Sequence, residues 1–266
     1  MSDTPYSRRR FLRDSALVSL AMPLLPRTSR GMVPEHNPGQ AAESGEAAVH
    51  WLESPPPVSF TGVTWGSAWP RGAVSADKAF ELRVAGGNRP LQSWPLAWWP
   101  DGSVKWSAHA LGGDAPYGDS LSVIPVAAAL PSPGIASETP DGWRINTGSI
   151  QALISRNGEQ LIKEIRRGDQ TLLTNGRLVL RTRSGDEEQL TANTAQLAGK
   201  ADSVVLEQNG PQRAVITLRG THRNAEDAVI RFVVRLYWYA GTASVRVMHT
   251  LIYDNEQPQR AVSGIG

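Results

Sequence analysis

The sequence predicts an all-β protein: a small N-terminal barrel, then an antiparallel sandwich that is incomplete at its C-terminal end. Two observations carry this. Leu91–Trp99 and Val104–Ala110 alternate in character on either side of Pro100-Asp101-Gly102-Ser103, where Pro presets φ, Asp bonds its own backbone and Gly accepts positive φ. Beyond residue 141, short alternating runs recur between turn signals such as Asn157-Gly158, both of which tolerate positive φ.

Taken in order, residues 1–31 open with Ser7-Arg8-Arg9-Arg10-Phe11-Leu12-Arg13, which matches a twin-arginine export signal through Arg8, Arg9, Phe11 and Leu12. An apolar run from Ala16 to Leu25 follows, interrupted by Ser19 and Pro23 and too short to span a membrane. The expectation is a periplasmic or secreted protein whose partners include the twin-arginine export machinery, with no stable membrane anchor after processing. Residues 32–50 are rich in Pro, Gly, Glu and Ala without periodicity and read as a disordered linker, with order starting near Val49. Pro55-Pro56-Pro57 is an extended entry, since each ring fixes φ and excludes helix.

Residues 51–130 carry the barrel, with strands expected at Phe80–Val84, Leu91–Trp99, Val104–Ala110 and Ser120–Pro125. Trp65-Gly66 through Trp69-Pro70-Arg71-Gly72 reads as a loop with Arg71 at its apex. In the second hairpin strand, Val104, Trp106 and Ala108 share one face, and Lys105, Ser107 and His109 the other. Residues 131–140 are a Pro-rich linker. Residues 141–266 then hold the truncated sandwich, with strands at Trp143–Asn146, Ile150–Ser155, Leu161–Arg166, Leu178–Arg183, Ser203–Gln208, Ala214–His222 and Val229–Tyr239, and a return strand from Val245 to Tyr253.

Composition removes several function classes. There is no cysteine, so no disulfide, thiolate ligand or Cys nucleophile. The formal charge is +2, but residues 1–31 hold six arginines against two aspartates, which leaves the remainder at −2. A nearly neutral body gives no electrostatic case for nucleic acid. His50, His109 and His222 lack metal-ligand spacing, Asp186-Glu187-Glu188 is a solvated turn, and there is no Gly-rich phosphate loop. No metal and no cofactor are expected.

Seven of the nine tryptophans lie between Trp51 and Trp106. Each is a large apolar body whose N–H needs a partner when buried. One reading makes them the barrel core. The other makes some of them a sugar-binding face, because indoles stack on the flat C–H patches of sugars while polar neighbours bond hydroxyls or a uronate carboxylate. The candidate contact residues are Trp69, Arg71, Trp98, Trp99, Asp101 and Lys105.

GVTWGSAWPRGAV at 62–74 and LQSWPLAWWPDGSVKWSAHAL at 91–111 resemble the N-terminal barrel of the exo-rhamnogalacturonan lyase-like family. The resemblance extends to the last hairpin and implies a RIFT-type barrel, a central β-sandwich and a C-terminal α/α toroid. The toroid is absent from this sequence and is the expected missing partner. It further implies pectic polysaccharide as ligand and β-elimination as the parent chemistry, which needs a base near the C5 proton and positive charge at the carboxylate. His249 with Arg235, Arg246 and Tyr237 has the right residue types, but His249 shares its face with Val245, Val247 and Leu251, so it reads as a satisfied core histidine. No family catalytic motif matches here. The chain alone is therefore expected to be an inactive scaffold with polysaccharide contact; a stand-alone carbohydrate-binding module and a purely structural β-domain are the alternatives.

Overall fold

A computed structural model describes residues 45–52, 55, 60–113, 117–127, 132–184, 194–223, 228–253 and 260–266. The arginine-rich N-terminal motif and the Asp186-Glu187-Glu188 turn lie outside the described residues. Every regular element described is a strand.

The first region has seven strands: β1 (Ala47–Val49), β2 (Val63–Ala68), β3 (Ala79–Val84), β4 (Gly87–Pro90), β5 (Gln92–Trp98), β6 (Val104–Leu111) and β7 (Leu121–Val126). They form a four-stranded sheet in the order β1-β7-β3-β4 and a three-stranded sheet in the order β2-β6-β5. Between the sheets lies a core of Trp69, Val74, Phe80, Leu82, Val104, Leu111, Leu121 and Val123. Two expectations change here. Residues 47–49, assigned to the linker, are a barrel strand paired with β7 (Ala47 opposite Val123), with Ala47 and Val49 packed on the core. Trp65 to Ala68, read as loop, continues β2 along β6.

Burial along β6 does not divide by face. Ser107 and His109 are fully buried, and Trp106, expected beside Val104 and Ala108, is 44% exposed. Register breaks in β5 at Pro95/Ala97 and Ala97/Trp98 turn the hairpin, so strict alternation does not run through it. Burying Ser107 and His109 costs little because each finds a partner: Trp69 Nε1 donates to Ser107 Oγ at 2.7 Å, Ser107 Oγ meets His109 Nε2 at 2.8 Å, and His109 Nδ1 meets Ser93 Oγ at 2.8 Å.

The second region has eleven strands: β8 (Ala136–Thr139), β9 (Gly142–Asn146), β10 (Gln151–Ser155), β11 (Ile162–Arg167), β12 (Gln170–Gly176), β13 (Val179–Ser184), β14 (Thr194–Asn209), β15 (Arg213–Arg223), β16 (Ala228–Tyr239), β17 (Val245–Ile252) and β18 (Arg260–Ile265). A five-stranded sheet runs β12-β11-β10-β9-β8 and a six-stranded sheet β17-β16-β15-β14-β13-β18. They share one apolar core, with Ile145, Ala152 and Ile154 on one side and Ile216, Leu218, Phe232, Val234, Leu236 and Trp238 on the other. Strands β4, β8, β12 and β18 were not anticipated; β12 is exposed along nearly its whole length.

Barrel and sandwich belong to one compact unit, residues 41–266. Their seam is built on Arg213, only 8% exposed. Its Nη1 donates to Thr64 Oγ1 at 2.7 Å and its Nε to Gln208 Oε1 at 2.8 Å, while the guanidinium sits 4.6 Å from the Trp94 ring. Gln92 Oε1 accepts the backbone N–H groups of Gln212 and Arg213. Close approach is possible because Gly62, at φ +93°, has no side chain: a Cβ there would lie 2.1 Å from the Tyr239 ring.

Candidate functional site

The hairpin of β5 and β6 positions most of the residues expected to touch sugar, and it separates them into two groups. Trp69 is 3% exposed and has given its N–H to Ser107, so its ring belongs to the core rather than to a contact face. Trp99 is held by a bond from its Nε1 to the Trp69 carbonyl at 3.0 Å. Lys105 Nζ lies 4.5 Å from the Trp99 ring, a cation–π contact that occupies both. Arg71 and Asp101 pair with each other at 2.9 Å. Asp101 Oδ1 also accepts the Ser103 N–H and hydroxyl, and the Ser103 oxygen accepts the Gly72 N–H. Those Ser103 bonds, with Arg71 behind them, hold the Asp101 carboxyl down to about 2. These polar groups fasten the turn at 99–103 to the turn at 70–73. Beyond these contacts the two Nη groups of Arg71 and the Lys105 ammonium still carry donors.

Trp98 is 53% exposed. Beside it on the hairpin, Leu96 is 56% and Trp106 44% exposed. In register, Trp106 stands opposite Ala97, the residue between Leu96 and Trp98. Two indoles and a leucine left in solvent place large apolar groups on the surface of one hairpin. Trp106 was not among the expected contact residues.

A second feature had no sequence signal. At one mouth of the barrel lies a cavity of about 760 Å³, lined by Val49, Trp51, Phe60, Trp65, Leu82 and Leu111 among others. Its walls come from segments far apart in the chain, and Trp51 and Phe60 pack on each other at 5.3 Å.

Among the described residues of the sandwich no reacting constellation comes together. His249 lies on the inner sheet face, as the alternation implies, but it is not satisfied: neither ring nitrogen has a hydrogen-bond partner. Its ring is 5.3 Å from His222, and burial pushes both imidazoles below their ordinary range. Arg235 and Tyr237 stand on the opposite face of the sheet, since they pair with Met248 and Arg246 while His249 pairs with Val234. The four residues therefore do not converge. Among the described residues no group of three or more His, Asp or Glu could hold a metal.

Two family models match this architecture region by region: a PcRGLX-like N-terminal RIFT barrel domain over residues 45–126, and a PcRGLX-like central β-sandwich domain over residues 135–266. The chain belongs to the rhamnogalacturonan lyase-like family. It is also 28% identical over 224 residues to the uncharacterized protein YetA of Bacillus subtilis, an alignment that takes in 82% of this chain and 26% of YetA. The chain thus spans about a quarter of that relative's length. In family terms, the exposed tryptophans sit on the RIFT barrel and the histidine pair inside the central sandwich.

Proposed function

We propose that this chain is the non-catalytic N-terminal β region of an exported rhamnogalacturonan lyase-like protein, and that its barrel hairpin contacts the polysaccharide. The observation that carries the contact is the exposure of Trp98 and Trp106 on one hairpin whose other indoles are engaged, Trp99 with the Trp69 carbonyl and Trp94 with the Arg213 guanidinium. Exposed indoles suit the C–H faces of sugar rings. The non-catalytic reading rests on the separation of His249 from Arg235 and Tyr237. Export rests on the match of Arg8, Arg9, Phe11 and Leu12 to a twin-arginine signal.

Titration of the chain with rhamnogalacturonan oligosaccharides should shift its tryptophan fluorescence. Trp98→Ala with Trp106→Ala should abolish the shift and leave the thermal midpoint nearly unchanged. A wild-type protein that shows no shift at millimolar ligand would leave only scaffolding for the barrel. An absorbance assay for the unsaturated uronate product should stay flat; turnover would overturn the non-catalytic reading.

A further inference from the structure

The outer face of the six-stranded sheet is distinct from the hairpin patch. Its strand registers place Arg246 beside Tyr237 and Val215; Met248 beside Arg235, Thr217 and Val205; Thr250 beside Val233, Arg219 and Ser203; and Thr221 beside Lys200. Arg246 on β17, Arg235 on β16, Arg219 on β15 and Lys200 on β14 therefore form a diagonal, one cation per strand, each set one row further along the sheet. With strands about 4.8 Å apart and about 6.7 Å between same-face neighbours, successive members lie about 8 Å apart.

Arg235 is fixed by two bonds to Glu207, at 3.0 and 3.3 Å, and that pairing is what mainly holds the Glu207 carboxyl low. The nearby Asp202 is taken by Arg223 at 3.6 Å. Arg219, Lys200 and Arg246 are exposed, and no described carboxylate lies within ion-pair distance of any of them. The line thus holds four cations against the single carboxylate of Glu207. Like charges gathered on one sheet face oppose folding, and the packing beneath does not require them: Val215, Thr217 and Val233 are already buried between the longer side chains. Exposed apolar groups border the line, Met248 at 45% and Val205 at 50%.

We infer that this diagonal is a binding track for a linear acidic polysaccharide, whose carboxylates pair with Arg219, Lys200 and Arg246 while its sugar faces rest on Met248 and Val205. Charge complementarity sets the occupant as a polyanion. The side chains along the line favour a sugar polymer over single-stranded nucleic acid. Successive bases need aromatic platforms, and the one aromatic beside the line, Tyr237, already lies 5.9 Å from the Arg246 guanidinium.

The test is affinity electrophoresis of the full chain through gels containing polygalacturonate, with neutral galactan and single-stranded poly(dT) as comparison polymers. Wild type should be retarded by polygalacturonate in a salt-sensitive manner and not by galactan. Arg219→Ser, Lys200→Ser and Arg246→Ser together should weaken retardation about tenfold, as expected for three exposed charge pairs, with an unchanged circular dichroism melt. Lys163→Ser with Arg156→Ser, on the other sheet, should change nothing. Trp98→Ala with Trp106→Ala should leave this salt-sensitive component intact, so failure of the hairpin proposal and failure of the track are read separately. Equal retardation of wild type and the triple variant, or no retardation at all, overturns the track. Retardation by poly(dT) as strong as by polygalacturonate overturns the polysaccharide assignment.

Discussion

His109 in the barrel and His222 in the sandwich are both 0% exposed, and their surroundings differ in one respect. Both ring nitrogens of His109 meet serine hydroxyls. His222 has one contact, Nδ1 to the Ile230 carbonyl at 3.2 Å, and its Nε2 has no partner. Among the tryptophans, Trp69 gives its N–H to Ser107, whereas the N–H groups of Trp65 in the barrel and Trp238 in the sandwich have no partner. The barrel therefore holds a specific polar network in its interior. Unpaired buried polar atoms occur in both regions, at Trp65 and Ser67 in the barrel and at His222, Trp238 and His249 among others in the sandwich, where they sit in the larger apolar core. A network of fixed bonds gives one geometry, and here it ties β6 to Trp69 and Ser93.

If that contrast is right, the sandwich should be most sensitive to lost volume. Trp238 is 0% exposed at the centre of the shared core. Trp238→Ala should cost about 3–5 kcal/mol in urea unfolding. Trp238→Phe should cost much less than that, because the indole N–H it removes is already unpaired. Equal losses from the two substitutions would show that the N–H matters and would erase the distinction from the barrel.

The barrel histidine should be visible in pH dependence. Burial pushes His109 down to about 4, against about 6.5 in the unfolded chain. Between those values the unfolded state binds the proton and the folded state does not. Stability is thus complete above about pH 6.5 and falls as pH drops toward 4, by roughly 2–3 kcal/mol at pH 4.5. His222 and His249, also lowered by burial, act in the same direction. The lowered carboxyls of Asp101 and Glu207 lose their contribution only at lower pH. His109→Gln should flatten the wild-type slope between pH 6.5 and 4.5. A wild-type slope already flat there would mean that Ser93 and Ser107 accommodate the imidazolium.

Much of this architecture was legible because strand alternation and turn chemistry are local. The Pro100-Asp101-Gly102 turn stands where its residues place it, with Gly102 at φ +84°. Where polar side chains found buried partners the alternation misled. Ser107 and His109 look like a wet face until Ser93 and Trp69 are known to meet them. Of the contact residues, Trp98 stands exposed, while Trp69 is buried and bonded to Ser107, 38 residues away. The basic diagonal was hidden because its members lie on four strands and only pairing register aligns them.

The seam between the two regions gives the smallest effect and the sharpest comparison. Arg213 is a buried cation with neutral acceptors, Gln208 and Thr64, and no carboxylate among its described partners. Removing such a charge refunds its desolvation, so an apolar residue of similar length need not cost much in total stability. What it should cost is coupling. Thr64 and Trp94 belong to the barrel, Gln208 and Tyr237 to the sandwich, and Arg213 touches all four. Arg213→Met should lower overall stability by only about 1 kcal/mol yet separate two transitions that coincide in wild type. Seven of nine tryptophans lie in the barrel, so fluorescence follows that region, while far-ultraviolet circular dichroism is dominated by the longer strands of the sandwich. The variant's fluorescence midpoint should fall several degrees below its dichroism midpoint. Coincident midpoints would mean that Gln92 and the glycine contact at Tyr239 bind the two regions without the guanidinium.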